Sequence, residues 1–186
     1  MTDTSAKRDD LILTLAEIFR ENGFAGTSLT EITKRTGLGK SSLYHFFPNG
    51  KTEMAEAVLN NIDNWFNDNV FIPLRQPNNA DTNINAMFKS VDEYFNSGHR
   101  ICLVGAFALD NTRDLFTKKV SNYFKEWIDA LALALKRIGH HQARATAEEI
   151  VVGIQGALVL ARSQNDPKAF TRTLKRLQKR INIDDD

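Results

Sequence analysis

Apolar residues recur along this chain at intervals of three and four, the spacing of one face of an α-helix, and no segment sustains the period of two that marks a strand. Leu11, Leu15 and Phe19, with Ile12 and Ala16, set the pattern. They predict a first helix over 5–22 that stops at Gly23, a residue tolerant of left-handed C-terminal geometry. Ser28-Leu29-Thr30-Glu31 is a capping-box pattern that starts a short helix near Leu29, carries Ile32 inward and ends at Gly37. Lys40–Phe47 makes a third, stopped by Pro48-Asn49-Gly50, because proline lacks an N–H and disfavours helix in the residue before it. A long helix over 51–71 should stop at Pro73, before the loop Gln76-Pro77-Asn78-Asn79. Further helices are expected at 82–96, 102–110, 113–138, 141–163 and 167–181, the last with Asp166 as N-cap and Pro167 at the first helical position. The expected fold class is all-α, with about nine helices.

Composition narrows the function classes. A single cysteine, Cys102, allows neither an internal disulfide nor a cysteine-built zinc site, which fits a reducing compartment. No apolar run approaches the ~20 residues needed to span a bilayer, and the polar opening Met1–Ser5 does not read as a signal peptide. A soluble, cytoplasmic protein is expected. No Gly-rich phosphate loop, metal-spaced cluster or nucleophile elbow is present, so the chain reads as neither an enzyme nor a holder of a metal or cofactor. Net charge is only +1, yet its distribution is uneven: Ile32–Thr52 carries Lys34, Arg35, Lys40 and Lys51 and no acid, and Pro167–Ile183 carries six basic residues and no acid.

Two short helices joined by a tight Gly-containing turn and held by a longer preceding helix make a helix-turn-helix arrangement. The detailed pattern goes further. Ala16, Phe19, Gly23-Phe24, Thr27-Ser28-Leu29, Ile32, Thr36-Gly37-Leu38, Lys40, Leu43-Tyr44, Phe47 and Lys51, in that spacing, resemble the N-terminal domain of the TetR family of transcriptional regulators, over roughly residues 7–60. Two departures stand out: His45 lies one position earlier than the family's usual histidine, and Pro48-Asn49-Gly50 adds a residue before Lys51, in a Phe-Pro-x-Gly-Lys variant. The resemblance implies a DNA-binding domain over 1–50 and an effector-binding and dimerisation domain over 51–186.

The residue chemistry agrees with that implication. Phosphate contacts need cations, hydroxyls and helix N-termini, which Ser28 and Thr30 at the start of the second helix supply. Lys40, Ser41 and Ser42 open the recognition helix and are of types that reach base edges. Tyr44 follows Lys40 by four residues on the same face, His45 is a candidate groove contact, and Lys51 is a candidate phosphate clamp. The plainer alternatives are a solvated Lys40, a core Tyr44 and a purely structural Ser28 cap. Leu43, Phe46 and Phe47 read as the anchors of that short helix.

Between Trp65 and Trp127 lie 11 of the 17 aromatic residues. By resemblance this is where a small-molecule pocket belongs, with Phe66, Phe88, His99, Cys102, Phe107, Phe116 and Trp127 as candidate effector contacts; aromatics at helical spacing also serve simply as core. Cys102 reads either as a redox sensor beside His99 and Arg100 or as a buried inert thiol, and the adjacent His140-His141 make a poor metal pair. The helices at 141–163 and 167–181 resemble the dimerisation pair of TetR-like proteins, with Ile150, Ile154, Leu158, Phe170 and Leu174 expected at the seam of a homodimer. The basic face of the last helix reads as solvated, offset by Asp184-Asp185-Asp186. The combined expectation is a homodimeric repressor released from a palindromic operator in duplex DNA by a small apolar or aromatic effector. The alternative is a helical interaction module that has lost DNA binding.

Overall fold

The computed structural model describes residues 2–110 and 113–181, with side chains placed from 7 to 110 and from 114 to 181. Every regular element among them is helical: α1 (Thr2–Gly26), α2 (Leu29–Thr36), α3 (Lys40–Phe46), α4 (Gly50–Phe66), a π turn at Asn67–Phe71, α5 (Ile72–Arg75), α6 (Ala80–Tyr94), a 3-10 turn at Asn96–Gly98, α7 (Leu103–Leu109), a second at Arg113–Leu115, α8 (Thr117–Arg137), α9 (Ala143–Ser163) and α10 (Lys168–Ile181). With α5 taken as the continuation of α4, this is the expected all-α set of nine. The acidic Asp184–Asp186 terminus lies outside the described residues.

The chain divides into two compact units, Met1–Asn64 with Leu103–Val120, and Trp65–Cys102 with Ser121–Asp186. The first therefore takes in most of α4 and all of α7 beyond the 1–50 segment.

In the first unit α1 buries Leu11, Ile12, Leu15, Ile18 and Phe19, one apolar stripe. Its regular path breaks where expected, at Gly23, whose φ of 68° and ψ of 174° no helix contains; residues 24–26 add one more turn. That break turns Phe24 inward, where its ring meets those of Phe19, Phe107 and Phe116 at centroid distances of 6.1, 6.0 and 5.1 Å. The Phe19 ring is stacked and the Phe116 ring edge-on, and aromatic pairs of either kind add to the area that the rings bury.

In the second unit the core forms around Phe66, whose ring lies 4.8 Å from Tyr94, 4.9 Å from Tyr123 and 5.2 Å from Trp127. Pro73 does not end the preceding helix. The π turn intervenes, with the Ile72 N–H donating to the Asn67 carbonyl, and Pro73 then falls in the first turn of α5, where its missing N–H leaves no bond unmade. Arg137 at the end of α8 donates to the carbonyls of Arg75 and Gln76 at 2.8 and 2.7 Å, closing the end of α5. The two last helices pack closely: a Cβ on Gly153 of α9 would lie 3.0 Å from Leu177 Cδ1 of α10. Asp166 begins α10 as its N-cap, with Oδ1 accepting from the Lys168 N–H at 3.1 Å.

Candidate nucleic-acid interface

The helix-turn-helix is built from local hydrogen bonds. Ser28 is extended and its Oγ accepts from the Glu31 N–H at 3.1 Å, the capping bond that starts α2. Gly37 ends α2 in left-handed geometry, with φ 69°, and its N–H donates to the Thr33 carbonyl. Thr36 staples the turn, donating to the Ile32 carbonyl at 2.7 Å while accepting from the Leu38 N–H at 3.3 Å. Gly39, extended, then opens α3.

On α3, Leu43 is fully buried, and so is the following Phe47, over whose ring the Arg8 guanidinium sits 5.0 Å from the centroid. Lys40, Ser41, Ser42, Tyr44 and His45 are all exposed. The helix thus turns two apolar anchors inward and presents only hydrogen-bonding side chains outward, with Phe46, expected in the core, left half-buried. Ser28 and Thr30 are exposed as well.

The turn Phe47–Gly50 closes through the Gly50 N–H on the Phe47 carbonyl at 2.9 Å, with Pro48 in the position that its fixed φ suits. Gly50 has φ 67°, and a Cβ there would lie 3.4 Å from Tyr44 Cε1. With no side chain at Gly50, the Tyr44 ring rests against the start of α4 with its other half in solvent.

Lys51 departs from the expectation of a phosphate clamp. Its Nζ donates to the carbonyls of Phe24 and Thr27, both at 2.9 Å, and lies 4.5 Å from the centroid of the Phe24 ring. Two of the three ammonium hydrogens are thus spent on carbonyls that follow the Gly23 break in α1. Arg35 is likewise engaged, in a two-pronged bond to Glu21 at 2.6 and 3.2 Å; its guanidinium holds the Glu21 carboxyl below the usual carboxylate range. Of the four cations in the acid-free run, Lys34, Arg35 and Lys40 are exposed, with Arg35 held by Glu21, and Lys51 is half-buried. Lys34 was passed over in the sequence, although its place in that run was the available signal.

The remaining candidate residues divide between the two units. Ile150, Ile154, Leu158, Phe170 and Leu174 are buried within the chain's own core rather than at an outward seam. The outward apolar residues of α9 are instead Val152, Val159 and Leu160, at 69, 63 and 49% exposure. Phe107 and Phe116 belong to the first unit's aromatic core, whereas Phe66, Phe88 and Trp127 lie buried in the second, and Cys102 is buried there too. His99 is exposed. Among the described residues no group of histidine, cysteine and acidic side chains could hold a metal ion, and no helix is long and apolar enough to cross a membrane.

Comparison with known proteins agrees with this geometry. The family "Bacterial regulatory proteins, tetR family" matches residues 11–58, and "Transcriptional regulator LmrA/YxaF-like, C-terminal domain" matches residues 81–176. The uncharacterized HTH-type transcriptional regulator YxaF of Bacillus subtilis (strain 168) is 46% identical over 59 residues, 31% of either chain. The HTH-type transcriptional regulator LmrA of the same organism is 24% identical over 160 residues, 83% of this chain and 85% of its own. A TetR transcriptional regulator from Chloroflexus aurantiacus J-10-FL superposes with a TM-score of 0.80 at 21% identity, covering 98% of this chain and 97% of its own. One from Agrobacterium tumefaciens gives 0.78 at 19% identity, covering 95 and 97%. At such identities the two structures establish the fold, and the family matches carry the rest: the chain is a DNA-binding transcriptional regulator rather than an enzyme, and it belongs to the TetR family.

Proposed function

We propose that this regulator is a cytoplasmic, homodimeric repressor that leaves a palindromic operator when a small apolar or aromatic effector binds its second unit. The observation that carries the reading is the division of α3, with Leu43 and Phe47 buried and Lys40, Ser41, Ser42, Tyr44 and His45 exposed. Lysine and serine at the N-terminal end of such a helix suit base edges, and Tyr44 combines a phenol with an apolar ring for sugar or thymine methyl. Ser28, Thr30 and Lys34 around α2 are of the types that contact phosphates.

Dimerisation is supported by the outward face of α9, where Val152, Gly156 and Val159 recur at intervals of four and three and form an apolar stripe exposed in the single chain. A two-fold pairing sets two α3 helices on half-sites about one helical turn, ~34–36 Å, or a small multiple apart. The effector acts only through its differential affinity for the DNA-binding and released states.

Selection of bound sequences from a random duplex pool tests this. A palindrome is expected, and Lys40→Ala should cost about 1–3 kcal/mol while relaxing base choice at one position per half-site. An asymmetric single site, or an unchanged selection by the variant, would overturn the reading.

A further inference from the structure

We propose that Trp127 is the specificity-determining residue for the effector of the second unit. Its indole N–H passes from the Met87 thioether to an oxygen acceptor on a flat, uncharged, apolar molecule. The proposal rests on the effector reading above and adds the recognising group.

Trp127 is fully buried, and its Nε1 donates to Met87 Sδ at 3.5 Å. An indole N–H can only donate, and thioether sulfur is a weak acceptor. Buried tryptophan N–H groups ordinarily meet stronger partners, because an unsatisfied donor in the core is expensive. A ketone or amide oxygen in the place of that sulfur would therefore improve the bond. Met87 is well suited to yield the place: it is unbranched, has three rotatable bonds and repacks readily.

A second observation concerns the wall of the same cluster. Phe66 precedes the π turn Asn67–Phe71 and Phe71 ends it, and their rings lie 6.0 Å apart, with Phe66 5.2 Å from Trp127 and both near Tyr123, at 4.9 and 6.1 Å. In a regular α-helix, residues five apart point about 140° away from each other. The wide π turn is what directs both rings to one cluster, and π turns of this sort occur often at functional sites. A planar ligand displacing the Met87 side chain would meet ring faces and edges on several sides and one unsated N–H.

The experiment uses the full-length protein with a matched pair of probes, 2-acetylnaphthalene and 2-ethylnaphthalene, which differ in the ketone oxygen. Affinities are read from tryptophan fluorescence, and the Trp127 indole N–H is followed by 15N-edited NMR. The ketone should bind about tenfold tighter, the scale of one well-made buried hydrogen bond, and should move the Trp127 indole resonance. Trp127→Phe should erase the preference while leaving hydrocarbon affinity nearly unchanged, and Met87→Leu should preserve or widen it. Equal affinities for the two probes, a preference that survives Trp127→Phe, or no binding of either would overturn the proposal. Release of duplex DNA, measured in parallel, separates the two readings. Trp127-dependent binding that leaves DNA bound supports this site and removes its role as effector pocket; DNA release that ignores Trp127→Phe does the opposite.

Discussion

Lys51, whose ammonium is engaged within the chain, offers the sharpest test of a site residue's role. Replacing it with alanine removes two bonds at 2.9 Å to the Phe24 and Thr27 carbonyls and the ammonium over the Phe24 ring. Hydrogen bonds to a charged group contribute about 1.5–3 kcal/mol each and the ring contact about 0.5–1. Lys51 is half-buried, so water recovers part of this, and the Phe24 carbonyl keeps the Thr27 N–H at 3.3 Å. A net loss of about 2–3 kcal/mol is expected, a fall in Tm of roughly 4–12 °C for a chain of this size. Circular dichroism against temperature measures the fall, and Lys51→Met, which keeps the apolar stem, should lose most of the same amount. A phosphate clamp behaves otherwise: its removal would leave Tm in place and reduce the slope of log affinity against log salt by about 0.9 per contact, ~1.8 for a dimer. An unchanged Tm with a reduced slope would refute the structural role.

Gly98 has φ 93°, and a Cβ there would lie 2.6 Å from the Pro167 carbonyl oxygen and 2.8 Å from Phe170 Cβ, whereas Gly139, at φ 87°, has nothing within 4 Å. Gly98→Ala should therefore destabilise by more than about 3 kcal/mol and Gly139→Ala by only about 1–2, as urea denaturation would show. The Arg172 guanidinium, followed by the Lys168 N–H, holds the Asp166 carboxyl below its ordinary range. Its contribution to stability is thus present above pH ~4 and lost as pH falls through the lowered native value; Asp166→Asn should make the acid limb of a stability–pH curve shallower. Val159→Asp places a charge on the outward stripe of α9 and should yield a folded monomer in sedimentation. Ile154→Asp, at a fully buried position, should instead abolish cooperative unfolding, and a folded Ile154→Asp monomer would contradict this assignment of faces.

Much of the fold was legible because its determinants are local. The Ser28 cap, the Gly37 stop, the Gly23 break and the Asp166-Pro167 start each depend on a side chain and the few residues beside it, and the three-and-four spacing of Leu11, Leu15 and Phe19 needs only a helix to become a face. The burial of Leu43 and Phe47 followed from the same logic, since so short a helix needs apolar anchors, whereas the half-exposure of Phe46 and the choice between core and solvent for Tyr44 did not. What tertiary structure decided was the partner of each face. A lysine at the start of α4 looks the same in sequence whether it reaches a phosphate or the carbonyls of Phe24 and Thr27, residues 27 and 24 positions away. The stripe Ile150-Ile154-Leu158 marks a buried face without saying whether the cover is another chain or this one, and α9 carries a second apolar face in Val152 and Val159 that only packing distinguishes from the first. Pro73 reads as a stop because the π turn that lets helix continue through it has no signature in the local residues. Helix, cap and turn were set by neighbours along the chain; which surface meets which was set by contacts between residues far apart in it.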